Sequence, residues 1–239
     1  MKEFKTGFIH SIETMGLVDG PGIRIVIFMQ GCPLRCLFCH NPETWNKISG
    51  NKMTSKEIVD EVRKYRPYIE KDGGVTFSGG EPLLQSEYLL EMLKMCKKAG
   101  IHTCIDTSGT GYDKKYLDEI LKYTDLVILD IKAINEIDYK KMTGKDMSVF
   151  EFFLERLLEN KNKIWLRQVI VPNINDNKEY ILKLKKYIKK FKNVEKVELL
   201  PYHTMAIDKY EKLNIDYPLK GIEDMDTLKC KELENLLNS

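Results

Sequence analysis

Six short apolar runs alternating with stretches of helical periodicity set the widest constraint on this chain. The runs lie at residues 22–30 (GIRIVIFMQ), 74–78, 102–107, 126–131, 164–171 and 194–200, and the β-branched content of the first reads as a buried strand. Helical spacing follows at Ile58, Val59, Val62 and Tyr65, behind a capping-box pattern at Thr54 to Glu57. It returns at residues 86–99, closed by Gly100, and at 113–123, 148–160, 176–191 and from about 225 to the end. Strands alternating with helices imply right-handed βαβ units and a parallel sheet. Six strands are too few for a closed eight-stranded barrel, so periodicity admits either an open doubly wound sheet or a partial barrel. No repeat, low-complexity tract or Pro/Gly-rich linker divides the chain, which reads as one domain over residues 1–239.

The chemically unusual residues follow the strands. Cys32, Cys36 and Cys39 come after the first, and Gly79, Gly80 and Glu81 after the second. Asp106 and Thr107 end the third, Asp130, Ile131 and Lys132 the fourth, and His203 lies just beyond the sixth. In a parallel α/β fold all strand C-termini open on one side, where ligands bind. Taken singly, Gly79-Gly80 is as readily a plain turn and Asp106 a helix cap; their convergence on one face carries the functional reading.

Three of the six cysteines fall within residues 31–41 (GCPLRCLFCHN), spaced C-x-x-x-C-x-x-C. The first residues carry no apolar leader and no run reaches the length of a membrane span, so the expected location is the reducing cytoplasm. Clustered cysteines there are metal-binding or catalytic more often than disulfide-bonded. A disulfide leaves one thiol over. Structural zinc needs four ligands, and His40 is poorly placed as the fourth because it adjoins Cys39. An iron–sulfur cluster on three thiolates leaves one iron open, as catalytic metals do. Cys96, Cys104 and Cys230 lie in other elements and read as buried thiols.

The motif, with Phe38 before its third cysteine, and the following Gly79-Gly80-Glu81-Pro82 resemble the radical S-adenosylmethionine (radical SAM) superfamily. Residues 18–24 (VDGPGIR), 28–32, 39–41 with Trp45, 100–107 and 198–203 are similar to the pyruvate formate-lyase activating group of glycyl-radical activases. No cysteine occurs between Cys39 and Cys96, so the cysteine-rich insert of many other activases is missing.

That resemblance implies a laterally open, partial (β/α)6 TIM-type barrel of parallel strands. It implies one 4Fe–4S cluster on Cys32, Cys36 and Cys39, with SAM chelating the open iron. By motif, Gly79, Gly80 and Glu81 lie against the methionine part of SAM, and Phe38, Cys39 and His40 border the adenine. Asp130, Ile131, Lys132 and His203 match further SAM contacts. Asp106, Thr107 and Asp130 match a monovalent-cation site, and Asp19 and Arg167 match positions near the substrate peptide. Phe38 departs from the tyrosine common there. The implied activity is reductive cleavage of SAM to a 5′-deoxyadenosyl radical, which takes hydrogen from a backbone glycine of pyruvate formate-lyase, with no side chain as acid or base. Flavodoxin or a ferredoxin is the implied electron donor, and the chain is expected to be a monomer.

Two other readings compete: a radical SAM enzyme of a small molecule, and a non-enzymatic iron–sulfur or zinc redox sensor. A net charge of +2 argues against a nucleic-acid partner. The lysines of residues 182–192 read as the solvated side of an amphipathic helix.

Overall fold

The computed structural model describes residues 3–239. Its strands are β1 (Thr6–Gly16), β2 (Arg24–Met29), β3 (Asn51–Thr54), β4 (Gly74–Gly79), β5 (Thr103–Thr107), β6 (Leu126–Asp130), β7 (Lys163–Ile170) and β8 (Val194–Pro201). The α-helices are α1 (Ser55–Lys64), α2 (Arg66–Ile69), α3 (Ser86–Lys98), α4 (Lys114–Lys122), α5 (Glu136–Thr143), α6 (Ser148–Asn160), α7 (Lys178–Ile188), α8 (Ile207–Lys212) and α9 (Thr227–Asn238).

All strands join one sheet in the order β3-β1-β2-β4-β5-β6-β7-β8. From β2 to β8 each parallel strand is added beside its predecessor without reversal. A doubly wound sheet needs such a reversal, so the alternative left open by periodicity falls. Right-handed crossovers that always step the same way put their helices on one face and curl the sheet around the other. Among the described residues β3 and β8 are not paired with each other, which leaves the partial barrel open at its side.

The sequence reading found the six parallel strands and missed the two that pair antiparallel, β1 and β3. In β1 only Gly7, Ile9 and Gly16 are buried, and the four residues of β3 are exposed or half-buried. Neither shows the continuous apolar run that betrays a strand with both faces covered. The capping box at Thr54 is present: Thr54 Oγ1 accepts from Glu57 N at 3.2 Å, and Glu57 Oε2 from Thr54 N at 2.7 Å. On α7, Lys183 and Lys186 are exposed, as a solvated face requires.

Side chains alternate along each strand. Ile25, Ile27, Val75, Phe77, Ile105, Val127, Leu129 and Leu166 face the helices in the main core. Cys104, Leu126 and Ile128, with Trp165, form a small second cluster on the opposite, inner face. Further along the strands that inner face becomes polar.

Candidate active site

The cysteine loop leaves the end of β2 and is held by distant parts of the chain. Arg35 N and Leu37 N donate to the carbonyls of Thr143 and Met142, both at 2.9 Å, at the end of α5. Cys39 N closes a turn on Cys36 O at 3.0 Å, and Tyr210 Oη from α8 donates to Cys39 O at 3.2 Å. Lys209 Nζ reaches His40 O at 3.0 Å.

The glycine pair after β4 clasps the start of this loop. Gly80 N donates to Met29 O at 2.9 Å and Glu81 N to Gly31 O at 2.8 Å. A Cβ on Gly80 would lie 2.3 Å from Gly31 O, and Gly79, at φ +113°, would bring one within 2.4 Å of Met29 N. Only glycine permits that approach.

One cavity of about 380 Å³ is lined by Cys32, Cys36, Phe38, Cys39 and His40, by Gly79 and Gly80, by Asp106, Thr107, Asp130 and Lys132, and by Asp19, Arg167 and His203. Two of the sequence-predicted residues are elsewhere. Ile131 is buried in the outer core, with its N–H on Arg167 O at 2.8 Å. Glu81 is fully buried behind the cavity wall. Its carboxylate accepts from Leu83 N (3.1 Å), Thr107 Oγ1 (2.5 Å), Ser108 N (2.9 Å) and Ser108 Oγ (2.5 Å), bracing the loops after β4 and β5. Burial pushes it up to about 7 against those hydrogen bonds.

Charge inside the cavity is paired. Asp106 accepts from Ser78 Oγ at 2.8 Å and has Arg167 Nη1 at 3.9 Å; burial, then neighbouring Asp130, pushes it up to about 6. Lys132 Nζ meets Asp130 at 2.7 Å and lies 5.4 Å from the Phe38 ring centroid. Burial works against the Lys132 ammonium, but Asp130 and Cys36 outweigh it and hold the amine above its usual range. Arg167 pairs with Glu198 at 3.2 Å and also donates to Val18 O. His203 meets His40 edge-on, ring centroids 4.7 Å apart.

The sequence reading missed what holds Asp19. Arg24, fully buried, donates from Nε to Thr76 Oγ1 at 3.0 Å, and the Thr76 hydroxyl donates in turn to the Asp19 main-chain carbonyl at 2.6 Å. Arg24 ends the VDGPGIR stretch and stands two residues before Val26 on the inner face, so parity along the strand was the available signal. Burial raises the Asp19 carboxyl against the attraction of Arg167 and Arg24.

Residues 26–188 match the Radical SAM superfamily. A pyruvate formate-lyase-activating enzyme of Clostridium pasteurianum is 56% identical over 232 residues, covering 97% of each chain. The chain belongs to the pyruvate formate-lyase-activating family of radical SAM enzymes. The Staphylococcus epidermidis enzyme of that name is 45% identical, over 97% of this chain and 95% of its own. Among solved structures, a domain of a Bacteroides vulgatus pyruvate-formate lyase-activating enzyme aligns with TM-score 0.56 and 23% identity, over 70% of this chain and 93% of that one. Streptococcus suis SuiB bound to S-adenosylmethionine aligns with TM-score 0.66 and 17% identity, over 96% of this chain and 48% of its own; these two likenesses speak to the fold.

Radical SAM membership implies a 4Fe–4S cluster and SAM, and the donor set fits that cluster. Cys32, Cys36 and Cys39 share the cavity, whereas Cys96, Cys104 and Cys230 are buried in other parts of the fold. Among the described residues no three His, Cys, Asp or Glu are grouped to hold a metal ion. A cluster asks less of that geometry, since each thiolate takes a separate iron, and soft thiolates suit it. Burial pushes the Cys32 thiol up to about 12 and Cys36 to about 11, and raises Cys39; bound iron reverses this by stabilising the thiolates.

Proposed function

We propose that this radical SAM enzyme activates a pyruvate formate-lyase by making a glycyl radical in it. When bound, the cluster and SAM would supply the chemistry, a one-electron reductive cleavage of a sulfonium S–C bond that releases methionine, coupled to removal of a hydrogen atom from a glycine Cα with release of 5′-deoxyadenosine. The observation that carries the reading is the meeting of the three thiols with Asp19 and Arg167 in a single laterally open cavity.

In this reading Cys32, Cys36 and Cys39 hold the cluster. The Gly79 and Gly80 backbone, Phe38, Cys39, His40, Lys132 and His203 orient SAM, and Glu81 keeps the glycine loop in place from behind. Asp19 and Arg167 receive the peptide. Asp106, Thr107 and Asp130 hold a monovalent cation; the mutual repulsion and burial that raise Asp106 would be relieved by one. No side chain needs to act as acid or base. The chain works as a monomeric, single-domain cytoplasmic protein with flavodoxin or a ferredoxin as donor. Among the described residues no helix is long and apolar enough to cross a membrane.

Anaerobic mixing of the reduced, iron-loaded protein with SAM and pyruvate formate-lyase should produce the glycyl doublet in the EPR spectrum. SAM cleavage without that doublet would remove the activase reading and leave radical SAM chemistry standing.

A further inference from the structure

The turn between β1 and β2 is tied to two other strands through adjacent main-chain carbonyls. Val18 O accepts from Arg167 of β7, and Asp19 O accepts from Thr76 Oγ1 of β4 at 2.6 Å. The direction of the second tie is fixed. A guanidinium only donates. Arg24 Nε donates to Thr76 Oγ1 at 3.0 Å, so the Thr76 oxygen is the acceptor there and its own hydrogen is left for Asp19 O. Arg24 is itself locked: Nη2 donates to Val75 O at 2.5 Å, and Nη1 lies 3.2 Å from His102 Nδ1. Neither Arg24 nor Thr76 has any exposed surface. Gly20, at φ +132°, seats the turn on this pair, since a Cβ there would lie 3.2 Å from Arg24 Nε. Asp19 is thus held by its main chain while its side chain stays open. The residue lines the cavity, and among the described residues no hydrogen bond or ion pair engages its carboxylate. A free carboxylate on a fixed backbone is a ready acceptor for N–H groups of a ligand.

We propose that Thr76, its hydroxyl turned by Arg24, is a positioning residue for the substrate peptide: it fixes the Asp19 main chain so that the free carboxylate is preset to accept from the peptide's N–H groups. The inference rests on the assignment of Asp19 to the peptide made above and goes beyond it by naming the pair that sets its place. Thr76 is not part of the cavity wall, so it acts through Asp19 and touches neither peptide nor SAM. Its effect falls on capture of the peptide, because a turn that is already ordered need not be ordered at binding.

The test compares anaerobically reconstituted parent, Thr76→Ser and Thr76→Val proteins, with iron counted in each. One readout is the affinity for a fluorescently labelled peptide spanning the target glycine of pyruvate formate-lyase, by anisotropy. The other is the dependence of glycyl-radical formation on pyruvate formate-lyase concentration, by EPR. Thr76→Val lacks the hydroxyl and should bind the peptide about tenfold more weakly, raising KM by the same factor with kcat near the parental value. Thr76→Ser keeps the hydroxyl and should stay within about twofold of the parent. Parental affinity in Thr76→Val, an equal loss in Thr76→Ser, or a fall in kcat at parental affinity overturns the proposal. Should Thr76→Val fail to fold, the decision passes to Gly20→Ala, a change in the turn itself. Its Cβ must push the turn off Arg24, and peptide binding should weaken while SAM cleavage is retained; parental affinity in that variant overturns the proposal. A parent that cleaves SAM but neither binds the peptide nor forms the glycyl radical would instead overturn the reading of the peptide site.

Discussion

The outward side chains Ile25, Ile27, Phe77, Ile105, Val127 and Leu166 are all fully buried against the helices. The inward ones on the same strands include Arg24, Thr76, Ser78, Asp106, Asp130 and Arg167. Two chemistries thus share one backbone, separated by the period-2 alternation of a strand. The outer face supplies stability, at about 1.5–3 kcal/mol for each large apolar side chain buried. The inner face spends some of it, because buried charges and hydroxyls repay their desolvation only where each finds a partner. The division teaches that stability and reactivity in this molecule are separable by side-chain direction, and substitutions can test it.

The largest effect belongs to the cysteine loop. Cys36→Ser should abolish reductive SAM cleavage, by at least about a thousandfold, with the folded chain retained; intact cleavage in that variant would break the assignment of the inner face to chemistry. Next comes the outer face. Phe77→Ala leaves a cavity under the helices and should cost about 3–5 kcal/mol, or roughly 10 °C in melting temperature, while SAM cleavage per loaded cluster stays near the parental value. A normal melting temperature with lost chemistry would reverse the roles of the two faces.

The smallest effect concerns Glu81, on the border between the faces. Its carboxyl is pushed from an ordinary 4.5 up to about 7 by burial. Between those values the folded chain keeps a proton that the unfolded chain has lost, so the stability Glu81 contributes is full below pH 4.5 and is lost as pH rises through about 7. Glu81→Gln removes this contribution. The parental melting temperature should therefore fall relative to the variant between pH 5 and 7.5, by the equivalent of roughly 2 kcal/mol. Asp106 drifts in the same direction in both proteins, so the difference isolates Glu81. Parallel pH profiles would mean that Glu81 is ionised in the folded state throughout.

Much of the fold was legible because its signals are local. The six parallel strands announce themselves as apolar runs, and α9 begins at the Asp226 cap close to where the pattern starts. Helix α5 went unread although Asn135 caps it and Gly144 ends it in the left-handed region at φ +73°; its short sequence EIDYKKMT has too little apolar spacing to stand out. Strands β1 and β3 depend on pairing with β2 and with each other, which no property of their own residues announces. In the site, the positions beyond the strand ends were legible because a parallel sheet puts all those ends together. The direction in which a particular side chain points from a loop was not: Glu81 and Ile131 follow strands as Gly80 and Lys132 do, yet neither faces the cavity.

From the sequence alone came the alternation of strands and helices, the three-thiol loop, and the family to which these motifs belong. Periodicity and spacing are written within short stretches of chain, which is why they could be read. Tertiary structure decided the order and open side of the sheet, the burial of Glu81, the hold of Arg24 and Thr76 on Asp19, and the hold of Tyr210 on the cysteine loop. Those features rest on contacts between residues far apart in the chain, 52 for Arg24 with Thr76, 57 for Thr76 with Asp19 and 171 for Tyr210 with Cys39. Each partner has many feasible mates until the sheet has formed, and packing against the rest of the fold selects one.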